Sequence, residues 1–459
     1  MNDTHRIAIV GAGLVGTLTA VFLARRGLDV TLYERRPDMR RVEIPAGRSI
    51  NLALANRGMD ALSRVGLMDT VEPHLIPMRG RMIHDPDGSL QLQPYGNKPG
   101  EVIYSVSRAA LNMVLMDAAE AAGVSIRFSQ RCDHVDFSGN NITLCDEDSG
   151  GRQKVGRDVV IGADGGGSVV RSAISEATGG AVSDEPLDHS YKELTIKPGP
   201  DGRHRMESNA LHIWPRGGFM LIALPNTDGS FTATLFLPNE GDNSFQTLDT
   251  RDAVESFFHG NFPDAVPLIH GLADSFFANP TGRLGTIRCH KWHKDGSGLI
   301  IGDAAHAIVP FHGQGMNAGF EDCVVLDRHL ENHGSDWASV FAALETERKP
   351  SADAIADMAL ENYIEMRDSV RDPKFQLRKE LAWKLEALFP ENFIPRYSMV
   401  MFHLLPYAEA YARGQVQAKI LEELTAHADS LDGIDLVNAK QLVEARMHSL
   451  PALHSEETQ

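Results

Sequence analysis

Short apolar runs that empty into glycine-rich turns set the rhythm of this chain. Residues 6–10 read as a buried strand ending at Gly11. Residues 14–26 carry helical spacing and stop at Gly27, a residue suited to the left-handed position just past a helix end. Residues 28–33 form a second strand, so the opening predicts a βαβ unit. Helices are predicted near 57–65 and 108–122. A strand over 158–161 runs into Gly162-Ala163-Asp164-Gly165.

The pattern then changes. Segments 191–196, 210–214, 219–224 and 231–237 are short and alternate apolar with polar positions. Turn residues such as Arg216-Gly217-Gly218 separate them. This predicts an antiparallel sheet whose inward face carries Phe, Leu and Trp. A buried strand returns at 299–301 and runs into Gly302-Asp303-Ala304-Ala305-His306, with a helix over 315–330. Beyond Trp337 the pattern is helical, punctuated by Pro350, Pro373, Pro390, Pro395 and Pro406. The predicted fold class is α/β: a Rossmann-type dinucleotide-binding domain, an antiparallel-sheet domain and a helical C-terminal region. The first takes residues 1–75, 100–180 and 283–340. The second takes 76–99 and 181–282. The third takes 341–459.

Composition narrows the function. A formal net charge of −18 disfavours nucleic acid, which requires a basic patch, and docking on anionic lipid. The four cysteines, Cys132, Cys145, Cys289 and Cys323, are scattered without a C-x-x-C pair, so neither a metal site nor a disulfide framework is expected. No apolar run reaches the ~18 residues of a membrane helix. The start, 1–6, is polar and shows no signal peptide, so a cytoplasmic enzyme is expected.

Three motifs carry the chemistry. Gly11-Ala12-Gly13-Leu14-Val15-Gly16 fits G-x-G-x-x-G between a strand and a helix, where glycines permit the tight turn, the approach of a pyrophosphate and close packing. Glu34 ends the second strand, placed to accept from ribose hydroxyls and to repel a 2′-phosphate. Arg35 and Arg36 weaken that second argument, leaving FAD and NAD(P) both open at this point. Asp164 to Arg171 has the form D-G-x-x-S-x-x-R and could bracket a pyrophosphate groove. Gly302 to Asn317 reads G-D-A-A-H-x-x-x-P-x-x-G-x-G-x-N. There Asp303 can accept from ribitol hydroxyls. Gly315, Met316 and Asn317 open a helix whose N–H groups stabilise negative charge on a reduced flavin.

These three motifs in this order resemble the class A flavoprotein aromatic hydroxylases and point to FAD. Further segments resemble one family within that class, the kynurenine 3-monooxygenases. They are Arg48-Ser49-Ile50-Asn51-Leu52-Ala53-Leu54, Met78-Arg79-Gly80-Arg81-Met82, Leu92-Gln93-Pro94-Tyr95-Gly96, Ala210-Leu211-His212-Ile213-Trp214-Pro215, Pro310-Phe311-His312-Gly313, Leu360-Glu361-Asn362-Tyr363 and Ile394-Pro395-Arg396-Tyr397.

The resemblance implies hydroxylation of L-kynurenine to 3-hydroxy-L-kynurenine with NADPH and O2 through a flavin hydroperoxide. The alternative is another anthranilate-like or phenolic substrate. It implies that Arg81, Tyr95, Asn362 and Tyr397 bind the amino-acid head, and that Leu211, Ile213, Ile222, Leu224 and Phe236 form apolar walls. Pro310, Phe311 and His312 would lie between flavin and substrate ring. Arg108 would contact the flavin; a salt bridge to Glu101 or Asp117 is the competing reading. No acid–base triad is expected, because the cofactor carries the chemistry. A flavin halogenase is disfavoured, since Trp214, Trp292, Trp337 and Trp383 stand isolated rather than in a W-x-W-x-I-P segment. A non-catalytic flavin sensor would not need the apolar pocket. Family members in eukaryotes carry a C-terminal membrane anchor, whereas the end here, 449–459, is polar.

Overall fold

A computed structural model describes residues 5–42, 51–369 and 372–450. Arg48, Ser49 and Ile50 of the resembling segments lie outside the described residues, as does most of the polar C-terminal end.

The first layer is a six-stranded sheet in the order His293–Lys294, Gly298–Ile300, Val159–Gly162, Arg6–Val10, Asp29–Tyr33, Ser125–Arg127. All neighbours are parallel except the outermost His293–Lys294. Helices cover it, so its strands are apolar on both faces, and Ile7, Ala8, Ile9 and Leu32 are fully buried. The helix Leu14–Arg25 follows the first strand, and Gly27 lies at φ +77° beyond its end.

The second layer has seven strands in the order Thr281–Cys289, Val182–Ile196, Phe231–Pro238, Met220–Pro225, Leu211–Pro215, Gly80–His84, Leu90–Pro94. Its alternation sorts residues between two faces. Trp214, Leu221, Ala223 and Leu235 pack beneath the helices Arg251–Asn261 and Leu272–Ala278. Ile222, Thr234 and Phe236 open on the other face, into a cavity. Trp214 was expected among the inward aromatics. It instead faces away from the cavity and stacks on His84, with ring centroids 3.9 Å apart. The strand Val182–Ile196 is far longer than the six residues expected. Its first half is polar, exposed and contains Pro186, so it carries no apolar alternation, yet it pairs with Thr281–Cys289. A register shift between Pro186 and Ser190 turns it into the central sheet.

The parallel pairing of Leu211–Pro215 with Gly80–His84 sets Arg81 opposite Leu211. That pairing joins segments some 130 residues apart and has no local signature.

The tail comprises the helices Trp337–Ile364, Pro373–Leu388, Arg396–Phe402, Tyr407–Thr425 and Leu436–Arg446. Pro373, Pro395 and Pro406 stand at helix starts, where a missing N–H costs nothing. Pro350 does not punctuate: the helix Trp337–Ile364 runs through it. Burial of Arg348, Ser351, Ala352 and Ile355 around it offsets the cost of about 3 kcal/mol that an interior proline carries. Among the described residues no helix is long and apolar enough to cross a membrane.

Candidate active site

The glycine turn is shaped to hold a phosphate. Gly11 adopts φ +101°, and a Cβ there would meet the Ala163 carbonyl oxygen at 2.5 Å. A Cβ on Gly16 would meet the Gly11 carbonyl oxygen at 2.0 Å. A Cβ on Gly13 would meet nothing, so Gly13 faces open space at the N-terminus of the helix Leu14–Arg25, which has no side-chain cap. That end offers unpartnered N–H groups and a positive dipole to an anion. Asn112 Nδ2 donates to the Ala12 carbonyl at 3.0 Å and steadies the turn. Glu34 is buried and accepts from the Ala12 N–H at 2.8 Å and from Arg36 Nε at 2.8 Å. Burial opposes its charge, but the Arg36 guanidinium and these N–H groups hold its carboxyl below the ordinary range. Arg35 is exposed.

Asp164 does not line a groove with a free carboxylate. It accepts from Ser168 Oγ at 2.5 Å and from the Val169 N–H at 2.7 Å, at the head of the helix Val169–Thr178. Arg171 donates to the Ala304 carbonyl at 3.0 Å and to the Gly166 carbonyl. Of the two side chains expected to bracket a pyrophosphate, Asp164 is therefore engaged within the second motif and Arg171 ties that motif to the third. Asp303 differs: it is exposed at the strand end, and among the described residues no hydrogen bond or ion pair engages its carboxylate. Behind it, fully buried Asp322 accepts from the Gly302 N–H at 2.9 Å, His306 Nε2 at 2.6 Å and Arg348 Nε at 2.8 Å. Burial opposes charge on Asp322, but His306 and Arg348 outweigh it and bring its carboxyl down to about 2.

Gly313, at φ +67°, leads through Gln314 into the helix Gly315–His333, again without a side-chain cap. The Asn317 amide is spent inside the protein, accepting from the Ala55 N–H at 2.9 Å and donating to the Ala53 carbonyl at 2.8 Å. Only its backbone remains for a ligand. Arg108 is exposed at the start of the helix Arg108–Ala121. Its competing partners are taken: Asp117 pairs with Arg40, and Glu101 with Lys98. The open space at Gly13, the free Asp303 carboxylate and the uncapped helix at Gly315 together fit the phosphates, ribityl chain and ring of FAD.

Beside the 313–315 turn lies a partly enclosed cavity. Leu211, Ile222, Leu224, Phe236, Pro310, Phe311 and His312 line it, with Arg81, Tyr95 and Tyr397 at its polar end. Two expected residues do not line it. Ile213 is fully buried on the same sheet face as Leu211 and Ile222, packed with Ile83, Met220, Phe236 and Phe311. Asn362 lies behind Arg81: its Oδ1 accepts from Arg81 Nη2 at 3.4 Å and its Nδ2 donates to the Phe311 carbonyl at 2.6 Å.

Arg81 is buried. Its Nη1 donates to Glu365 Oε1 at 3.0 Å, and its Nε has no partner. The guanidinium lies 5.3 Å from the Tyr397 ring centre and 6.0 Å from that of Tyr95. The two tyrosine rings stack at 5.8 Å. Burial pushes the Tyr397 phenol up to about 12 and raises that of Tyr95, so both stay neutral hydrogen-bonding groups. His312 stacks on Tyr397 at 5.5 Å, its Nδ1 is unpartnered, and burial drives it down to about 3. It is a neutral imidazole at physiological pH.

Sequence reading overlooked Glu365, Tyr191, Met220, Thr234, Met366 and Met401. Glu365 stands three positions after Asn362, a spacing that shares one helix face and could have flagged it. The others depend on sheet register and tail docking.

The FAD binding domain family model matches residues 4–359. Over 452 residues the chain is 51% identical to the kynurenine 3-monooxygenase of Myxococcus xanthus (strain DK1622), covering 98% of this chain and 97% of that protein. It is 48% identical to that of Stenotrophomonas maltophilia (strain K279a), covering 99% of each. Among solved structures, 2-methyl-3-hydroxypyridine-5-carboxylic acid oxygenase superposes with a TM-score of 0.66 at 21% identity, covering 81% of this chain and 95% of that one. CtdE, solved with FAD and a substrate, gives 0.64 at 17% identity, covering 92% and 100%. These last two share the fold. With its nucleotide cradle, apolar cavity and buried Arg81 in place, the chain belongs to the FAD binding domain family and, within it, to the kynurenine 3-monooxygenases.

Proposed function

We propose that this chain is an FAD- and NADPH-dependent monooxygenase that converts L-kynurenine to 3-hydroxy-L-kynurenine with O2. The observation that carries the reading is a buried arginine at the end of an apolar cavity lined by aromatic residues. A buried cation flanked by two neutral phenols calls for a small carboxylate attached to an apolar body.

Bound FAD supplies the redox chemistry, taking electrons from NADPH and activating oxygen. Gly11, Gly13, Leu14 and Gly16 would hold its pyrophosphate, Glu34 its ribose and Asp303 its ribityl chain, while Arg108 and the N–H groups of Gly315, Met316 and Asn317 would serve its ring. The protein's remaining work is to bind, orient and keep dry. Arg81 takes the α-carboxylate, with Tyr95 and Tyr397 donating beside it. Glu365 receives the α-ammonium, and Asn362 holds Arg81 in place from behind. Leu211, Ile222, Leu224 and Phe236 grip the ring against Phe311 and His312, with Ile213 packed beside them, and exclude water from the reacting carbon. The amino group activates its own ortho carbon, so no strong base is required. Neutral His312 suits that role, since it adds no charge beside the ring. A simple phenol would bring Arg81 no carboxylate beyond that of Glu365.

One assay tests the proposal. The purified yellow protein should oxidise NADPH faster with L-kynurenine and release 3-hydroxykynurenine. No stimulation and no hydroxylated product would refute it.

A further inference from the structure

The 313–315 turn is held from behind by the C-terminal helices. Gln314 is fully buried, and both ends of its amide are engaged by the tail. Its Oε1 accepts from the Tyr407 hydroxyl at 2.6 Å, and its Nε2 donates to the Met401 sulfur at 3.0 Å. Tyr407 is fully buried in turn, with the Arg57 guanidinium 3.9 Å from its ring centre. Arg57 also donates to the Leu405 carbonyl and, at 2.6 Å, to Glu321. The helix Arg396–Phe402 carries two contacts one turn apart: Tyr397 at the polar end of the cavity, and Met401 against both the cavity and Gln314. A buried amide satisfied only by another segment keeps its position only while that segment is seated.

We propose that Tyr407 and Met401 are positioning residues that act through Gln314, coupling occupancy of the substrate cavity to the geometry of the turn on its flavin side. Substrate that engages Tyr397 steadies the helix Arg396–Phe402. Met401 and Tyr407 then hold Gln314, and the turn presents its N–H groups in one fixed arrangement. The inference rests on the substrate reading above and adds a route by which substrate makes cofactor reduction productive.

Tyr407→Phe and Met401→Leu test it in the holoenzyme. Four quantities are measured: L-kynurenine affinity by perturbation of the flavin absorption spectrum, stimulation of NADPH oxidation by kynurenine, 3-hydroxykynurenine formed per NADPH consumed, and the reduction potential of the bound flavin. In Tyr407→Phe, stimulation should fall by roughly fivefold to tenfold, the effect of one lost buried hydrogen bond. Hydrogen peroxide should rise, the flavin spectrum and potential should shift, and kynurenine affinity should hold. Met401→Leu should lower stimulation and shift the flavin potential more weakly, because sulfur is a weak acceptor, and beyond any change in affinity from its place in the cavity lining. The double variant should be no worse than Tyr407→Phe. Wild-type stimulation, product yield and flavin spectrum in Tyr407→Phe would overturn the proposal, as would additive effects in the double variant. If Tyr407→Phe fails to fold, the volume-conserving Met401→Leu decides alone, and an unchanged potential and stimulation there overturn it. Absence of 3-hydroxykynurenine from the wild type would instead sink the substrate reading, and the substrate-free flavin spectrum of the variants would still report on the turn.

Discussion

Arg81 and Glu365 form a 3.0 Å ion pair at the polar end of an apolar cavity, though 284 residues separate them in sequence. The pair is largely buried, so removing either partner strands the other in a poorly solvated site. Arg81→Ala should raise KM for L-kynurenine by roughly 10- to 100-fold, the worth of a charge-assisted hydrogen bond, while FAD stays bound. Steady-state kinetics together with the flavin spectrum check both halves. Loss of FAD would mean that Arg81 serves the cofactor.

Glu365→Gln probes the other end of that pair. It keeps the shape and removes the charge proposed to meet the substrate ammonium. Binding of L-kynurenine should weaken by about tenfold, and binding of its desamino analogue should change little. Equal losses for both ligands would show that Glu365 acts only by orienting Arg81.

The cradle makes a separable prediction. A Cβ on Gly13 meets no protein atom, whereas one on Gly16 collides with the Gly11 carbonyl. Gly13→Val should therefore give a folded protein with the apoprotein's melting temperature but no yellow cofactor. Gly16→Val should be poorly folded. Retention of FAD by Gly13→Val would place the pyrophosphate elsewhere.

Asp164 accepts from Ser168 Oγ and the Val169 N–H at a helix start. Asp164→Ala should cost about 1–3 kcal/mol of stability, because it strips the Ser168 hydroxyl and the Val169 N–H of a charged acceptor, and thermal melts of the FAD-free protein will show it. A variant as stable as the parent that binds FAD poorly would restore the pyrophosphate role first expected of this residue.

Acid stability follows from the buried imidazoles. Burial depresses His312 to about 3 and His212 to about 4, both below the ordinary histidine value of 6.5. The unfolded chain therefore takes up protons first as pH falls. The stability these neutral rings permit is complete above about pH 6.5 and drains away towards pH 3–4. His312→Gln should flatten that loss in denaturant melts between pH 7 and 4. An unchanged slope would mean that His312 is not held neutral. The same depression predicts no His312 inflection in kcat/KM between pH 5 and 8.

What could be read from the chain alone was local. Gly11 and Gly16 announce their turn because only glycine tolerates those backbone approaches, Gly13 leaves open the space a phosphate needs, and alternation over 219–224 and 231–237 announces strands because a sheet has two faces. Arg81, Tyr95 and Tyr397 were identifiable only through long matching segments. Tertiary structure decided the rest. Parallel pairing of Gly80–His84 with Leu211–Pro215 brings Arg81 to the cavity, packing of Ile83, Met220 and Phe311 covers Ile213 on the cavity face, and Trp214 takes the far face. Docking of the tail spends Asn362 on Arg81 and Phe311, brings Glu365 to the same guanidinium and closes Tyr407 onto Gln314. A local pattern records which face of its own element a residue occupies. It carries no information about which distant element will cover that face, because that is decided by the packing of the whole chain.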